Sequence, residues 1–186
     1  MKRINFVIII CCFFLFSSCN QLTKKTLIQS DWKQQLNKEI SLMGHRNWVL
    51  VVDKAFPLQN SNGIVTINTE EDFFSVLRYT IDQIDNSSHV KPIIYRDKEL
   101  NFIGKEQVPE IEDFKKSLNE VLDTLDIKEL LHDSVFVKID NASKLFKILV
   151  LKTNQTIPYS SVFFQLDCRY WSSDNEKELR NLMKNF

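Results

Sequence analysis

The sequence is poor in glycine, proline and histidine. Its 186 residues include 3 glycines and 4 prolines against 14 phenylalanines, which favours a packed globular domain over a disordered stalk. It has no glycine-rich phosphate loop, no nucleophile elbow and no CxxC pair. Its histidines are His45, His89 and His132, and no two of them stand at metal-ligand spacing. A three-histidine metal site is therefore improbable, and we predict no bound metal.

An excess of charge of one sign is also lacking. The chain has 24 lysines and arginines against 24 aspartates and glutamates, so its formal net charge is zero. Nucleic-acid binding requires a concentrated basic face, and no segment supplies one. We therefore predict no nucleic-acid partner.

The N-terminus has the features of a secretory leader. Two basic residues precede a mostly apolar run from Ile4 to Phe16, which is shorter than the roughly 20 residues of a membrane-spanning helix. Ser17 and Ser18 then precede Cys19, so that residues 16–19 resemble a lipobox. The alternative is a buried apolar helix with an incidental cysteine.

We expect cleavage before Cys19 and acylation of its thiol. Residues 1–18 are then a lipoprotein signal peptide, residues 19–29 a polar tether, and residues 30–186 a single domain. Each buried methylene contributes about 0.8 kcal/mol, so several acyl chains would anchor the protein to a membrane of the bacterial cell envelope, on its periplasmic or outer-membrane side. Cys168 would be the one remaining thiol, which excludes an internal disulfide.

Hydrophobic patterning predicts an α/β domain. The apolar run Trp48–Val52 is typical of a strand that is covered on both faces. The other predicted strands are residues 64–67, 92–95, 135–139, 147–152 and 161–166. The predicted helices are residues 30–43, 69–84, 109–125, 141–147 and about 174–186. This alternation predicts three α/β/α layers around a mostly parallel or mixed sheet of about six strands, with an extra C-terminal helix.

Two polar residues flank the Trp48–Val52 strand. His45 precedes it, and Asp53 follows at the carboxyl end, where ligands of open α/β sheets bind. The alternative is that His45 hydrogen-bonds the last carbonyls of the preceding helix and that Asp53 caps a turn. The pattern alone leaves both interpretations open.

Two motifs, at residues 42–57 and 158–163, resemble those of the D-ribose pyranase and L-fucose mutarotase family. Residues 42–57, LMGHRNWVLVVDKAFP, resemble its opening motif of Leu or Met, Gly, His, a polar pair, an apolar strand, Asp, and Phe-Pro or Leu-Pro. Residues 158–163, PYSSVF, resemble its Tyr-x-Asn followed by an apolar strand. The resemblance covers roughly residues 30–168, and the C-terminal helix extends beyond it.

The resemblance implies the fold of that family and isomerase chemistry that needs no cofactor. Members interconvert anomers or ring forms of free monosaccharides through the open aldehyde. His45 would be the proton donor, for which an imidazole with an unperturbed pKa of about 6.5 is well suited. Asp53, Tyr159 and Ser161 would bind the sugar, with Ser161 standing where the family has Asn.

The chain departs from the family at several positions. Asn47 replaces an acidic residue, Thr66 and Asn68 stand where Arg and Asp are common, and residues 141–147 offer no histidine, unlike the ribose branch. Either the chain acts on a different sugar from the family members, or it still binds a sugar but no longer catalyses its conversion. A non-catalytic carbohydrate-binding lipoprotein and a structural envelope protein therefore remain as alternatives.

The spacing of His45 and Asp53 has a geometric consequence. They are eight positions apart, and at about 3.3 Å per extended residue the side chains start about 15–25 Å apart in one subunit. One monosaccharide cannot touch both. We therefore predict a homo-oligomer whose pockets lie between subunits, with His45 from one chain and Asp53 or Tyr159 from its neighbour.

Overall fold

A computed structural model describes residues 31–184. In chain order they form α1 (Trp32–Leu42), β1 (Trp48–Val52), β2 (Ile64–Asn68), α2 (Phe73–Asp85), β3 (Val90–Asp97), a 3-10 helix (Lys98–Phe102), α3 (Ile111–Leu122), β4 (Ile127–Leu130), α4 (His132–Ser143), β5 (Ile148–Lys152), β6 (Val162–Cys168) and α5 (Ser173–Met183). The predicted leader, the tether and the lipidation site Cys19 lie outside the described residues.

The six strands of residues 31–184 form one mixed sheet in the order β2-β5-β1-β6-β3-β4. β1 and β2 run parallel to β5, and β3 runs parallel to β4. β6 runs antiparallel to both of its neighbours, β1 and β3. Strands β1 to β5 therefore all end at one edge of the sheet, the carboxyl edge, and β6 begins there. The opposite edge is the amino edge.

Helices cover both faces of the sheet. Buried side chains of α1, α2 and α3 pack on one face against Val49 and Val51 of β1. Val135 and Ile139 of α4 pack on the other face against Leu50. All five residues of β1 are buried because the strand is covered on both sides, as its unbroken apolar run predicts. The predicted α/β/α layers and six-stranded mixed sheet are confirmed.

The predicted strand at residues 135–139 and the predicted helix at 141–147 are wrong. One helix, α4, spans both segments, and the strand before it is β4. Val135, Ile139 and Ser143 are buried at intervals of four, the helical period, whereas Val137 is 59% exposed. The run of β-branched residues resembles a strand, but burial follows one face of a helix.

Helix starts differ slightly from the predicted ones. Asp31 caps α1 by accepting the Lys33 N–H, and Asp72 caps α2 by accepting the Ser75 N–H. Helix α2 therefore begins after Asp72 rather than at Thr69. The predicted C-terminal helix is present as α5, and none of its residues is buried. No helix within residues 31–184 is long and apolar enough to cross a membrane.

Gly63 marks a tight contact between the start of β2 and the end of α4. A Cβ there would clash with the backbone oxygen of Ser143 and lie 2.9 Å from that of Phe146. Gly63→Ala should lower the free energy of unfolding by about 1–3 kcal/mol, since backbone has to move to admit the methyl group. Gly44→Ala is the matched control, because a Cβ at Gly44 meets no atom within 4 Å. Urea denaturation measures both, and equal stability of the two variants would contradict this close approach.

Candidate functional site

The strand order brings polar residues from distant parts of the chain to the carboxyl edge. Val162, the first residue of β6, pairs with Val51 of β1 and with Arg96 of β3. The residues just before β6 therefore lie between the residue after β1 and the last residue of β3. Helix α4 begins at the same edge, directly after β4. We call the five side chains that meet there the carboxyl-edge cluster: Asp53, Asp97, His132, Tyr159 and Ser161.

Asp53 follows β1 and is fixed by two hydrogen bonds. The Ala55 N–H donates to its Oδ1 at 2.8 Å, and Ser161 Oγ donates to its Oδ2 at 3.2 Å. Ser161 is buried, whereas Asp53 is half-buried. The bond from Ala55 makes Asp53 the cap of a turn. Because a carboxylate has about four acceptor sites, Asp53 can also accept a hydrogen bond from a ligand hydroxyl.

Asp97, the last residue of β3, is a fully buried carboxyl with 0% exposure. Its Oδ2 lies 3.1 Å from His132 Nδ1, and its Oδ1 has no hydrogen-bond partner among residues 31–184. Burial raises the pKa of Asp97 to about 6, the hydrogen bond and charge of His132 oppose the rise, and Glu99 and Asp53 add to it. Asp97 therefore exchanges its proton closer to neutral pH than an ordinary aspartate does.

His132 is held at the first turn of α4 by both backbone and ring. Its N–H donates to the two carboxylate oxygens of Glu99, at 3.0 and 3.1 Å. Its ring centroid lies 4.7 Å from that of Phe136 and 5.1 Å from that of Tyr159, with the Tyr159 ring edge-on. The side chain is 36% exposed, and Nε2 has no partner among the described residues. One ring nitrogen is thus tied down and the other is open.

Tyr159 joins the cluster from the turn before β6. Its φ of 57° lies in the left-handed region, which residues other than glycine rarely adopt. Ser160 Oγ donates to the Ile157 carbonyl at 2.7 Å and braces the same turn. The Tyr159 residue is 37% exposed, so its ring can meet a ligand.

His45 lies at the amino edge, away from the cluster. It occupies the turn between α1 and β1, where its side chain is exposed and makes no hydrogen bond with residues 31–184. It does not bond the end of α1; His89 Nε2 instead bonds the Met43 carbonyl at 2.9 Å. The five residues of β1 span about 17 Å, so His45 and Asp53 cannot share one sugar within a chain.

Asn47 has a structural role in the turn that carries His45. Its Oδ1 accepts the Gly44 N–H at 2.8 Å, and its Nδ2 donates to the Lys147 carbonyl at 3.2 Å. The amide thereby ties the turn to the chain entering β5. An acidic side chain at this position would have no donor for that carbonyl.

The fold has clear counterparts among solved structures. RbsD of Bacillus subtilis, in a structure complexed with D-ribose, aligns at a TM-score of 0.51 and 16% sequence identity. The alignment covers 72% of this chain and 91% of the RbsD chain. This chain has the RbsD fold. The resemblance predicted from the two sequence motifs is confirmed for the fold.

Two other solved structures align over similar lengths. The fucose mutarotase of Streptococcus pneumoniae, complexed with L-fucose, has a TM-score of 0.49 and 17% identity over 72% of this chain and 91% of its own. FucU of Bifidobacterium longum has a TM-score of 0.47 and 13% identity over 72% of this chain and 94% of its own. No protein-family model and no curated protein matches the sequence.

Within this RbsD-like fold, three predicted site residues lie together and one does not. Asp53, Tyr159 and Ser161 share the carboxyl edge, and His45 lies at the other end of β1. The sequence patterns did not indicate Asp97 or His132. Residues 141–147 contain no histidine, as stated, but they do not form a helix of their own, and α4, which includes residues 141–143, begins at His132. The spacing of four between Val135, Ile139 and Ser143 is the sequence signal for helix α4, and recognising that helix would have drawn attention to His132 at its start.

The described residues show no built metal centre. Within residues 31–184, no group of three or more His, Cys, Asp or Glu side chains is arranged to hold a metal ion. The cluster instead combines two carboxyls, an imidazole, a phenol and a hydroxyl. These groups can accept and donate hydrogen bonds and move protons near neutral pH.

The raised pKa of Asp97 predicts a pH-dependent stability. Between pH 3.8 and about 6 the folded chain keeps a proton that the unfolded chain has lost, so stability falls as pH rises through this window. Asp97→Asn cannot titrate. From pH 4 to pH 7 the wild type should lose about 2 kcal/mol relative to this variant, because at pH 4 the unfolded chain has already lost more than half of this proton. Urea denaturation of both proteins at the two pH values measures the difference, and parallel behaviour would show that Asp97 titrates normally.

Proposed function

We propose that the carboxyl-edge cluster binds a monosaccharide and that the protein interconverts its anomers or ring forms by acid–base catalysis. The observation that carries the proposal is the convergence of Asp53, Ser161, Tyr159 and His132 at one edge of an RbsD-like sheet. RbsD was solved in complex with D-ribose, which makes a free sugar the favoured ligand class.

The cluster offers the groups that a polyhydroxylated ring needs. Asp53 keeps unused acceptor sites for sugar hydroxyls, with Ser161 holding its orientation. Tyr159 offers a half-exposed ring and a hydroxyl that donates and accepts. No redox group is needed, because ring opening only moves a proton onto the ring oxygen and another off the anomeric hydroxyl.

His45 enters this scheme as the proton donor only through a second copy of the chain. It is exposed, unpartnered within residues 31–184, and separated from the cluster by the length of β1. A neighbouring subunit that presented its amino edge to the carboxyl edge would bring His45 to the sugar. We therefore propose a homo-oligomer with intersubunit sites.

A non-catalytic sugar-binding protein is the second candidate. It is favoured by one observation: within one chain the cluster is complete without His45. Such a protein would hold the sugar through Asp53, Tyr159 and Ser161 and leave its anomers unchanged. Binding and exchange have to be measured separately for this reason.

Saturation-transfer NMR on a panel of monosaccharides makes that separation. The wild type should accelerate exchange between anomers of at least one sugar, and His45→Ala should reduce the acceleration by about 100-fold or more, as expected for loss of a positioned acid. Ser161→Ala should weaken binding of the same sugar, because Asp53 loses its buried donor. Lys177→Ala, on the exposed helix α5, is the control with unchanged exchange.

Three results would redirect the proposal. Binding without exchange would establish the non-catalytic candidate. Unchanged exchange in His45→Ala would remove His45 from the mechanism. Absence of any sugar contact would leave a structural envelope protein.

We further propose that acylated Cys19 anchors the protein to a membrane of the cell envelope. The leader sequence supports this proposal, since a short apolar run and two serines precede Cys19. Cys19→Ser should release the protein from the membrane fraction, and globomycin should block processing of the wild type. Retention of the serine variant in the membrane would exclude a lipid anchor at this residue.

A further inference from the structure

Asp97 is buried with fewer hydrogen bonds than a buried carboxyl normally makes. Its side chain has no solvent exposure, one oxygen contacts His132, and the other has no partner among residues 31–184. Burial of such a group is costly, and replacement by an apolar or amide side chain would relieve the cost. Side chains retained at such a cost concentrate at functional sites.

The contact that Asp97 does make fixes the orientation of an imidazole. Its Oδ2 lies 3.1 Å from His132 Nδ1, while Glu99 holds the backbone N–H of the same residue. The His132 ring is further confined by Phe136 and Tyr159. The nitrogen left without a partner among residues 31–184 is Nε2, on a side chain that is 36% exposed and lies beside the sugar-binding candidate Tyr159.

We propose that Asp97 is a positioning residue, which keeps the His132 proton on Nδ1 so that Nε2 is a bare base at the bound sugar. This inference rests on the proposed sugar-isomerising function and adds a second imidazole to it. A buried carboxylate that accepts Nδ1–H fixes the tautomer and stabilises the imidazolium when Nε2 takes up a proton.

The proton balance of ring opening is then complete. His132 Nε2 accepts the proton of the anomeric hydroxyl, the C1–O1 bond becomes a carbonyl, and the bond from C1 to the ring oxygen breaks. The ring oxygen takes the electron pair of that bond and a proton from the His45 imidazolium of the neighbouring subunit. Closure on the other face of the carbonyl reverses each step, so both histidines return to their starting states.

His132 contacts two acidic side chains in different ways. Glu99 of the 3-10 helix accepts the backbone N–H of His132, whereas Asp97 of β3 contacts the ring at Nδ1. Asp97 therefore differs from Glu99, because only Asp97 selects which ring nitrogen carries the proton.

Nitrogen-15 NMR of the histidine rings tests the positioning role directly. At a pH where the rings are neutral, wild-type His132 should carry its proton on Nδ1. In Asp97→Asn the amide can donate to Nδ1, so the proton should move to Nε2. His89 is the internal control, because Ser87 and Met43 hold its ring independently of Asp97. An unchanged His132 tautomer overturns the proposal.

Kinetics separate positioning from sugar binding. Asp97→Asn should lower kcat for anomer exchange by at least about 10-fold and change KM by less than about 3-fold, because Asp97 acts through His132 rather than on the sugar. Asp174→Asn is the matched control and should leave kcat unchanged, as Asp174 lies on the exposed helix α5 and pairs with Lys177 at 2.9 Å. An unchanged kcat in Asp97→Asn overturns the proposal.

A second substitution at the same position is needed in case Asp97→Asn does not fold. Asp97→Leu removes the acceptor while filling the buried space, and it should shift the tautomer and kcat as Asp97→Asn does. If the wild type exchanges no sugar, the proposed function fails, and the contribution of Asp97 to exchange fails with it. The tautomer measurement would still show whether Asp97 holds His132, so the two failures are distinguishable.

Discussion

The reversed direction of β6 is the constraint on which the candidate site depends. Five strands run one way, and β6 inserts between β1 and β3 in the opposite sense. Its amino end therefore lies among the carboxyl ends of its neighbours, and Tyr159 and Ser161 meet Asp53, Asp97 and His132. With a parallel β6, the turn that holds Tyr159 and Ser161 would lie at the amino edge. Backbone pairing, rather than any single polar contact, assembles the cluster.

Much of the fold could be predicted from the sequence because the spacing of apolar residues reflects which side chains are buried. The unbroken apolar run of β1 indicates a strand that is covered on both faces, and apolar residues at helical spacing indicate the helices α1 and α3. The segment from Val135 to Ile139 misled because its β-branched residues favour a strand locally. Packing of α4 on the sheet overrides that preference. In the sequence, only the spacing of four between the buried residues indicates the helix.

The site was less predictable than the fold because it depends on strand order. Asp53 and Ser161 are 108 positions apart and touch because β6 neighbours β1. Asp97 gives no sequence signal, since its importance lies in being buried beside an imidazole from another segment. His132 was hidden by the misassigned strand. The position of Asp53 at the carboxyl end of an apolar strand indicated it as a candidate but left its role open, and the family resemblance supplied Tyr159 and Ser161.

The position of His45 at the far end of β1 has a genetic consequence. Five residues of extended backbone stand between it and the carboxyl-edge cluster, and no side-chain rotation closes that gap. A reaction that needs both groups divides its machinery between copies of the chain. Substitutions at the two ends of β1 would then complement each other, because a copy that lacks His45 and a copy that lacks Ser161 can form one intact pocket where they meet. Mixed assemblies of two inactive alleles would regain function, which a pocket contained in one chain does not allow.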